Sequence, residues 1–231
     1  MGWSAMNTGW GGEAIAIMYR QMSDSSYRDD VRSGIYAPHV RELNEYVDIL
    51  RAKKPGQFVP YISPEFGGSQ ARLLLLTLSP GEKTRLDAAR GSGLLSVENS
   101  DPGAARIAEA LDHAGIDRMD CVGWNVYPWY VKGLGELKPQ ERDPYLHEGV
   151  DLLIQVIARL PRLRAVFVFG KVPDLAWAMF RQSYPKTTRS LKYFYHRSTG
   201  PTGYRGSVAQ RMEWRQQLFD EMDKAAAAIG Q

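Results

Sequence analysis

The chain has 231 residues, is 44% hydrophobic and 24% charged, and carries a formal net charge of +3. That length suits one α/β domain with an extension, and the near balance of signs excludes a chain-wide basic surface for nucleic acid. Cys121 is the only cysteine, which excludes an intrachain disulfide framework, a CxxC zinc site and an iron–sulfur cluster held by this chain alone, and points to a reducing cytoplasm.

From the N-terminus, residues 1–35 read as an arm in which Trp3 and Trp10 are positioned to dock onto the body. No apolar run approaches the ~20 residues that span a bilayer, so no membrane association is expected. The body, residues 36–231, begins with PHVRELNEYVDILRAK at 38–53. There Val40, Leu43, Val47 and Leu50 recur at helical spacing, and Lys-Lys-Pro-Gly at 53–56 stops the helix. RLLLLTL at 72–78 is a continuous apolar run closed by Ser79-Pro80-Gly81, as in a strand buried on both faces of a sheet. Asp101-Pro102 opens a helix through Ile107, Ala108 and Leu111 to a stop at Gly115. A second strand ends near Trp124. Asp143-Pro144 repeats the start signal for a helix ending before Pro161, AVFVFG at 165–170 is a third strand, and 173–183 is helical. KYFYH at 192–196 is a fourth strand, and Ser207 with Gln210 has the spacing of a capping box opening the last helix.

This alternation predicts a three-layer α/β/α fold around a central, mainly four-stranded parallel sheet. Ligands of such folds bind beyond the carboxyl ends of the strands. The unusual residues fall there. Ser79-Pro80-Gly81 follows the first strand, Asn125 the second, Gly170-Lys171 the third, and His196 ends the fourth.

Each signal has an ordinary alternative. Pro-Gly after a strand is usually a turn, though backbone N–H groups around Gly81 can also meet a partial negative charge. An asparagine after a strand usually makes a turn, but its amide places a donor and an acceptor in one plane, which matches the edge of a pyrimidine. Trp124, Tyr127, Trp129 and Tyr130 crowd around it as core or as pocket wall. His196 leads into HRSTGPTGYRG, a loop too elaborate for a plain connection. Between 181 and 215 eight basic residues face one acid, Glu213, with Tyr193, Tyr195 and Tyr204 interleaved; this is either a solvated face or a phosphate-backbone track.

In this order the motifs resemble those of the uracil-DNA glycosylase superfamily from about residue 38 to the end. RLLLLTLSPG is similar to the family's first motif, GLLSVENSDPGAARIAEALDHAGI with WNVYPWY to the segment carrying the base-reading asparagine, and YFYHRS to the histidine motif. The resemblance implies that Asn125 reads an extruded base and that His196 and the backbone around Ser79 stabilise the departing negative charge. It implies a base pocket built by Leu78, Pro80, Gly81 and either Leu94 or Leu95. DNA would be held by Lys171, Arg197 and Ser198, with Tyr204 or Arg205 filling the gap left by the flipped nucleotide.

The expected activity is hydrolysis of the N-glycosidic bond of a deaminated base, uracil first, by a monomer acting on DNA without metal or cofactor. Thr77-Leu78-Ser79 offers neither the carboxylate nor the amide found at the family's first motif; Glu82, Asp87 or Glu98 could substitute, and the sequence places none of them. The alternative is a non-catalytic DNA- or nucleobase-binding module that retains the fold.

Overall fold

The computed structural model describes residues 19–230, so the docking of Trp3 and Trp10 lies outside the described residues. Among the described residues, seven α-helices are α1 Ser25–Ser33, α2 Pro38–Lys53, α3 Pro102–His113, α4 Pro139–Ile157, α5 Lys171–Ser183, α6 Pro185–Thr188 and α7 Val208–Gly230. The strands are β1 Tyr61–Ile62, β2 Leu73–Thr77, β3 Leu94–Leu95, β4 Cys121–Asn125, β5 Ala165–Phe169 and β6 Lys192–His196.

Four strands form one parallel sheet in the order β4-β2-β5-β6, with Thr77 opposite Asn125 and Phe169 opposite His196. The apolar runs at β2 and β5 are the two central strands, and their residues are almost wholly buried, because parallel strands linked by helices must be covered on both faces. α3 and α7 pack together on one side, while α4 and α5 pack together on the other. The result is a three-layer α/β/α fold. The chain leaves β2 outward through α3 to β4, then crosses back through α4 to β5. The carboxyl ends of β2 and β5 therefore flank a topological switch point, where open α/β sheets form a crevice.

Local signals account for most element ends. Asp101 accepts hydrogen bonds from the Gly103 and Ala104 amides at 2.8 and 2.9 Å, and Ser207 and Gln210 exchange the reciprocal bonds of a capping box at 3.2 and 2.9 Å. α4 departs from expectation by starting at Pro139 rather than at Pro144. Glu141 reaches back to the Lys138 amide at 3.3 Å, and Pro144 sits inside the helix, where it lacks the amide that would otherwise donate to the Gln140 carbonyl. The two-residue pair β1 and β3, too short for a periodic signal, forms a separate parallel ribbon beside the main sheet.

From residue 19 onward the segment before α2 is attached to the body. Met22 is fully buried and its amide donates to the Glu98 carbonyl at 3.1 Å. Among the described residues, no helix is long and apolar enough to cross a membrane.

Candidate functional site

A cavity of about 570 Å³ opens at the switch point. Its floor is the end of the sheet: Leu75 and Thr77 from β2, Gly123 and Asn125 from β4, and Phe169 from β5. Its walls come from the four strand-end segments and from the start of α3.

The β2 and β4 ends are zipped together past the sheet. The Val126 amide donates to the Thr77 carbonyl at 2.8 Å, and the Tyr127 amide to the Leu78 carbonyl at 2.9 Å. This fixes Asn125, which is 2% exposed, against Thr77, with Nδ2 2.6 Å from the Thr77 hydroxyl oxygen. The other polar atom of the amide, Oδ1, is buried without a protein partner. The Thr77 hydroxyl can donate or accept, so either orientation of the amide leaves one polar group unpaired. Buried polar groups are nearly always satisfied, and leaving one unpaired costs about 1–3 kcal/mol. An unpaired amide facing a cavity is therefore positioned for a ligand.

Leu78, Ser79, Pro80 and Gly81 all line the cavity. Thr84 holds this turn, its hydroxyl donating to the Gly81 carbonyl at 2.6 Å. A Cβ at Gly81 would meet nothing within 4 Å, so the cavity is open at this wall. Leu95 also lines it, whereas Leu94 is buried on the opposite face of β3, as strand alternation requires. Of the aromatics around Asn125, Trp124 and Tyr130 border the cavity. Tyr127 and Trp129 do not. They turn into the core, where Tyr127 packs on Tyr145 and Lys54 lies 4.2 Å from the Trp129 ring centre.

Lys171, exposed on the first turn of α5, and Ser198, exposed on the loop after β6, complete the far wall. Gly170 between them has φ 110°, a conformation that favours glycine, and its amide donates to the His196 carbonyl at 2.8 Å.

His196 itself departs from expectation. Strands about 4.8 Å apart put Asn125 and His196, three steps apart in the sheet, roughly 14 Å from one another, so both ends can border one ligand. Yet the imidazole is 4% exposed and does not line the cavity. It is tucked under α7, with Nδ1 2.9 Å from the Arg197 carbonyl and Nε2 2.9 Å from the Trp214 carbonyl. Burial pushes its pKa below the ordinary histidine range, while the two carbonyls oppose that shift. As placed, the ring is a brace between β6 and α7 and not a group that faces a substrate.

The loop after it is likewise more anchored than its sequence suggests. Arg197 stacks 3.5 Å from the Trp214 ring centre, and Tyr204 is 4% exposed beneath the Arg106 guanidinium at 4.3 Å. Burial lifts the Tyr204 phenol to about 12. A residue held in that way is part of the wall and not a wedge for a DNA gap. Arg205, next to it, is exposed. Nor is the basic run one continuous track: Arg215 pairs with Glu109 at 3.1 Å, and Arg211 donates to the Gly206 carbonyl at 3.0 Å.

Of the carboxylates considered as substitutes in the first motif, Asp87 pairs with Arg85, and Glu98 is buried away from the cavity beside the Arg20 amide. Glu82 borders the cavity but is exposed at its rim, as is Glu136. The half-buried carboxylate on the cavity is Asp101, whose sequence signal as a helix cap hid any other part. Among the described residues, no three His, Cys, Asp or Glu side chains cluster as metal ligands. Comparison with protein-family models returns no match, and neither does comparison with curated proteins.

Proposed function

We propose that the cavity receives a flat nucleobase and that the protein is a monofunctional glycosylase, hydrolysing the N-glycosidic bond of a deaminated base, uracil first, extruded from DNA. The observation that supports this reading is Asn125. A planar amide, nine-tenths buried and more, keeps one polar atom without a partner at the floor of a cavity at the switch point. Such an amide recognises a partner that presents a complementary donor and acceptor in one plane, as a nucleobase edge does. The apolar side chains of Leu78, Pro80 and Leu95 suit the faces of a ring. The backbone beside Ser79 and Gly81 supplies dipoles for charge that develops on the departing base. Lys171 and Ser198, exposed on the cavity wall, are available to a phosphate backbone that approaches the opening.

A second reading, a non-catalytic DNA- or nucleobase-binding module, is favoured by one observation: both nitrogens of His196 lie against main-chain carbonyls. The two readings part in a strand-scission assay. Labelled oligonucleotides carrying uracil, hypoxanthine or xanthine, single-stranded and paired, are incubated with the protein and then cut with alkali at any abasic site. Cleavage that Asn125→Ala reduces about 10²–10³-fold supports the enzyme. Binding of the same oligonucleotides without cleavage, lost in Asn125→Ala, supports the module.

A further inference from the structure

Asp101 does two things at once. Its Oδ1 caps α3, accepting from the Gly103 and Ala104 amides. Among the described residues, its Oδ2 makes no hydrogen bond or ion pair with protein, and the residue lines the same cavity as the unpaired, buried amide of Asn125. The cap is fitted tightly against the loop after β6. A Cβ on Gly103 would lie 3.1 Å from Oδ1 and 3.3 Å from the Gly200 backbone, and Arg106 ties α3 to that loop through the Thr199 carbonyl at 2.6 Å.

Capping alone does not require a carboxylate here. Asparagine and serine cap as well as aspartate, without a charge. Burial raises the Asp101 pKa, and the amides of Ala104 and Gly103 with the guanidinium groups of Arg20 and Arg106 only partly offset it. Burial thus disfavours a charge that capping itself does not need. The other charged groups bordering the cavity are Glu82, Lys132, Glu136 and Lys171, all exposed at its rim. None of them brings a carboxylate to the interior, and the first motif, Thr77-Leu78-Ser79, has none to offer.

We propose that Asp101 holds and activates the attacking water through Oδ2, supplying from the start of α3 the carboxylate that the β2 end lacks; this rests on the glycosylase reading of the site. The step balances in ordinary hydrolysis. The water oxygen bonds to the anomeric carbon, the carbon–nitrogen bond breaks with its electron pair leaving on the base, and one water proton passes to Oδ2. That proton then returns to the departing base or to solvent.

The test is single-turnover base release by wild type, Asp101→Asn, Asp101→Ser and Asp101→Ala, from pH 5 to 9, with DNA affinity and Tm measured beside it. Loss of a general base typically slows the chemical step about 10²–10⁴-fold. The expected result is a fall of at least about 10²-fold in the Asn and Ser variants, with affinity within about threefold of wild type and Tm not lowered. The wild-type rate should rise with pH as Asp101 ionises, and the variants should lose that limb. A purely structural cap predicts the reverse: Asn and Ser variants as fast as wild type, with only the Ala variant impaired and less stable. Wild type that releases base while Asp101→Asn keeps a third or more of its rate overturns the inference alone. Wild type that releases no base from any of these substrates overturns the glycosylase reading and the inference with it.

Discussion

Two buried polar side chains end strands on opposite edges of one sheet, and they have been treated differently. Asn125, on β4, keeps an unpaired polar atom beside the cavity, while His196, on β6, has both ring nitrogens against carbonyls beneath α7. From sequence the two look alike, each a polar residue where an apolar strand finishes. What separates them is what each unpaired atom faces. The neutral imidazole has one N–H and can donate to only one of its two carbonyls, but the ring is enclosed beneath α7, whereas the unpaired atom of Asn125 belongs to a side chain that lines a cavity a ligand can fill. On that criterion the β2–β4 end is the candidate for recognition and the β6 end the candidate for support.

The substitution that most directly breaks this contrast is Asn125→Ala. It should reduce base release or base-dependent binding by about 10²–10³-fold. It should leave Tm within a few degrees, because it removes an unpaired amide atom and the Thr77 hydroxyl, which loses the Asn125 amide, still reaches the Trp124 carbonyl at 3.5 Å. Equal losses of binding and of stability would show instead that Asn125 is scaffold. A smaller effect comes from Gly81→Leu. A Cβ there meets nothing within 4 Å, so the side chain should fold without strain and project into open space at the cavity wall. The expected outcome is about tenfold weaker oligonucleotide binding with unchanged Tm, read by fluorescence anisotropy and a thermal melt.

Much of the fold was legible because it depends on local rules. The apolar runs at β2 and β5, the Asp101 cap, the Ser207–Gln210 capping box and the KYFYH strand announce themselves by composition and spacing. The convergence of residues 78–81, Asn125 and Lys171 on one cavity also followed, since strand ends in a parallel sheet must face one way. Side-chain direction did not follow. Whether Leu94 or Leu95 faces the cavity depends on a two-residue strand with no periodic signal, and whether His196 faces α7 or the crevice depends on the Trp214 carbonyl, eighteen residues further along the chain. Asp101 was hidden for the opposite reason: a sufficient local explanation, the helix cap, stood in front of a second use.

His196 gives the last and smallest effect on activity, and the sharpest on stability. Replacing it by alanine leaves the Arg197 and Trp214 carbonyls without their imidazole contact and opens a hole between β6 and α7. About 1–3 kcal/mol of lost stability is expected, which for a chain of this size is a fall in Tm of roughly 2–12 °C. Activity per folded molecule should change less than about threefold if the ring only braces the loop. The pH dependence makes the same point independently. Burial depresses the folded pKa of His196, helped by Arg197 and opposed by the two carbonyls and Glu221. The unfolded chain therefore binds a proton more readily. Stability from this residue is present above the ordinary histidine pKa and is lost as pH falls through it toward the depressed folded value. Wild type should lose more stability than His196→Phe between pH 7 and pH 5, measured by chemical denaturation. If instead His196→Phe melts like wild type at every pH but no longer releases base, the imidazole must leave its carbonyls to work, and the β6 end joins the β4 end as part of the site.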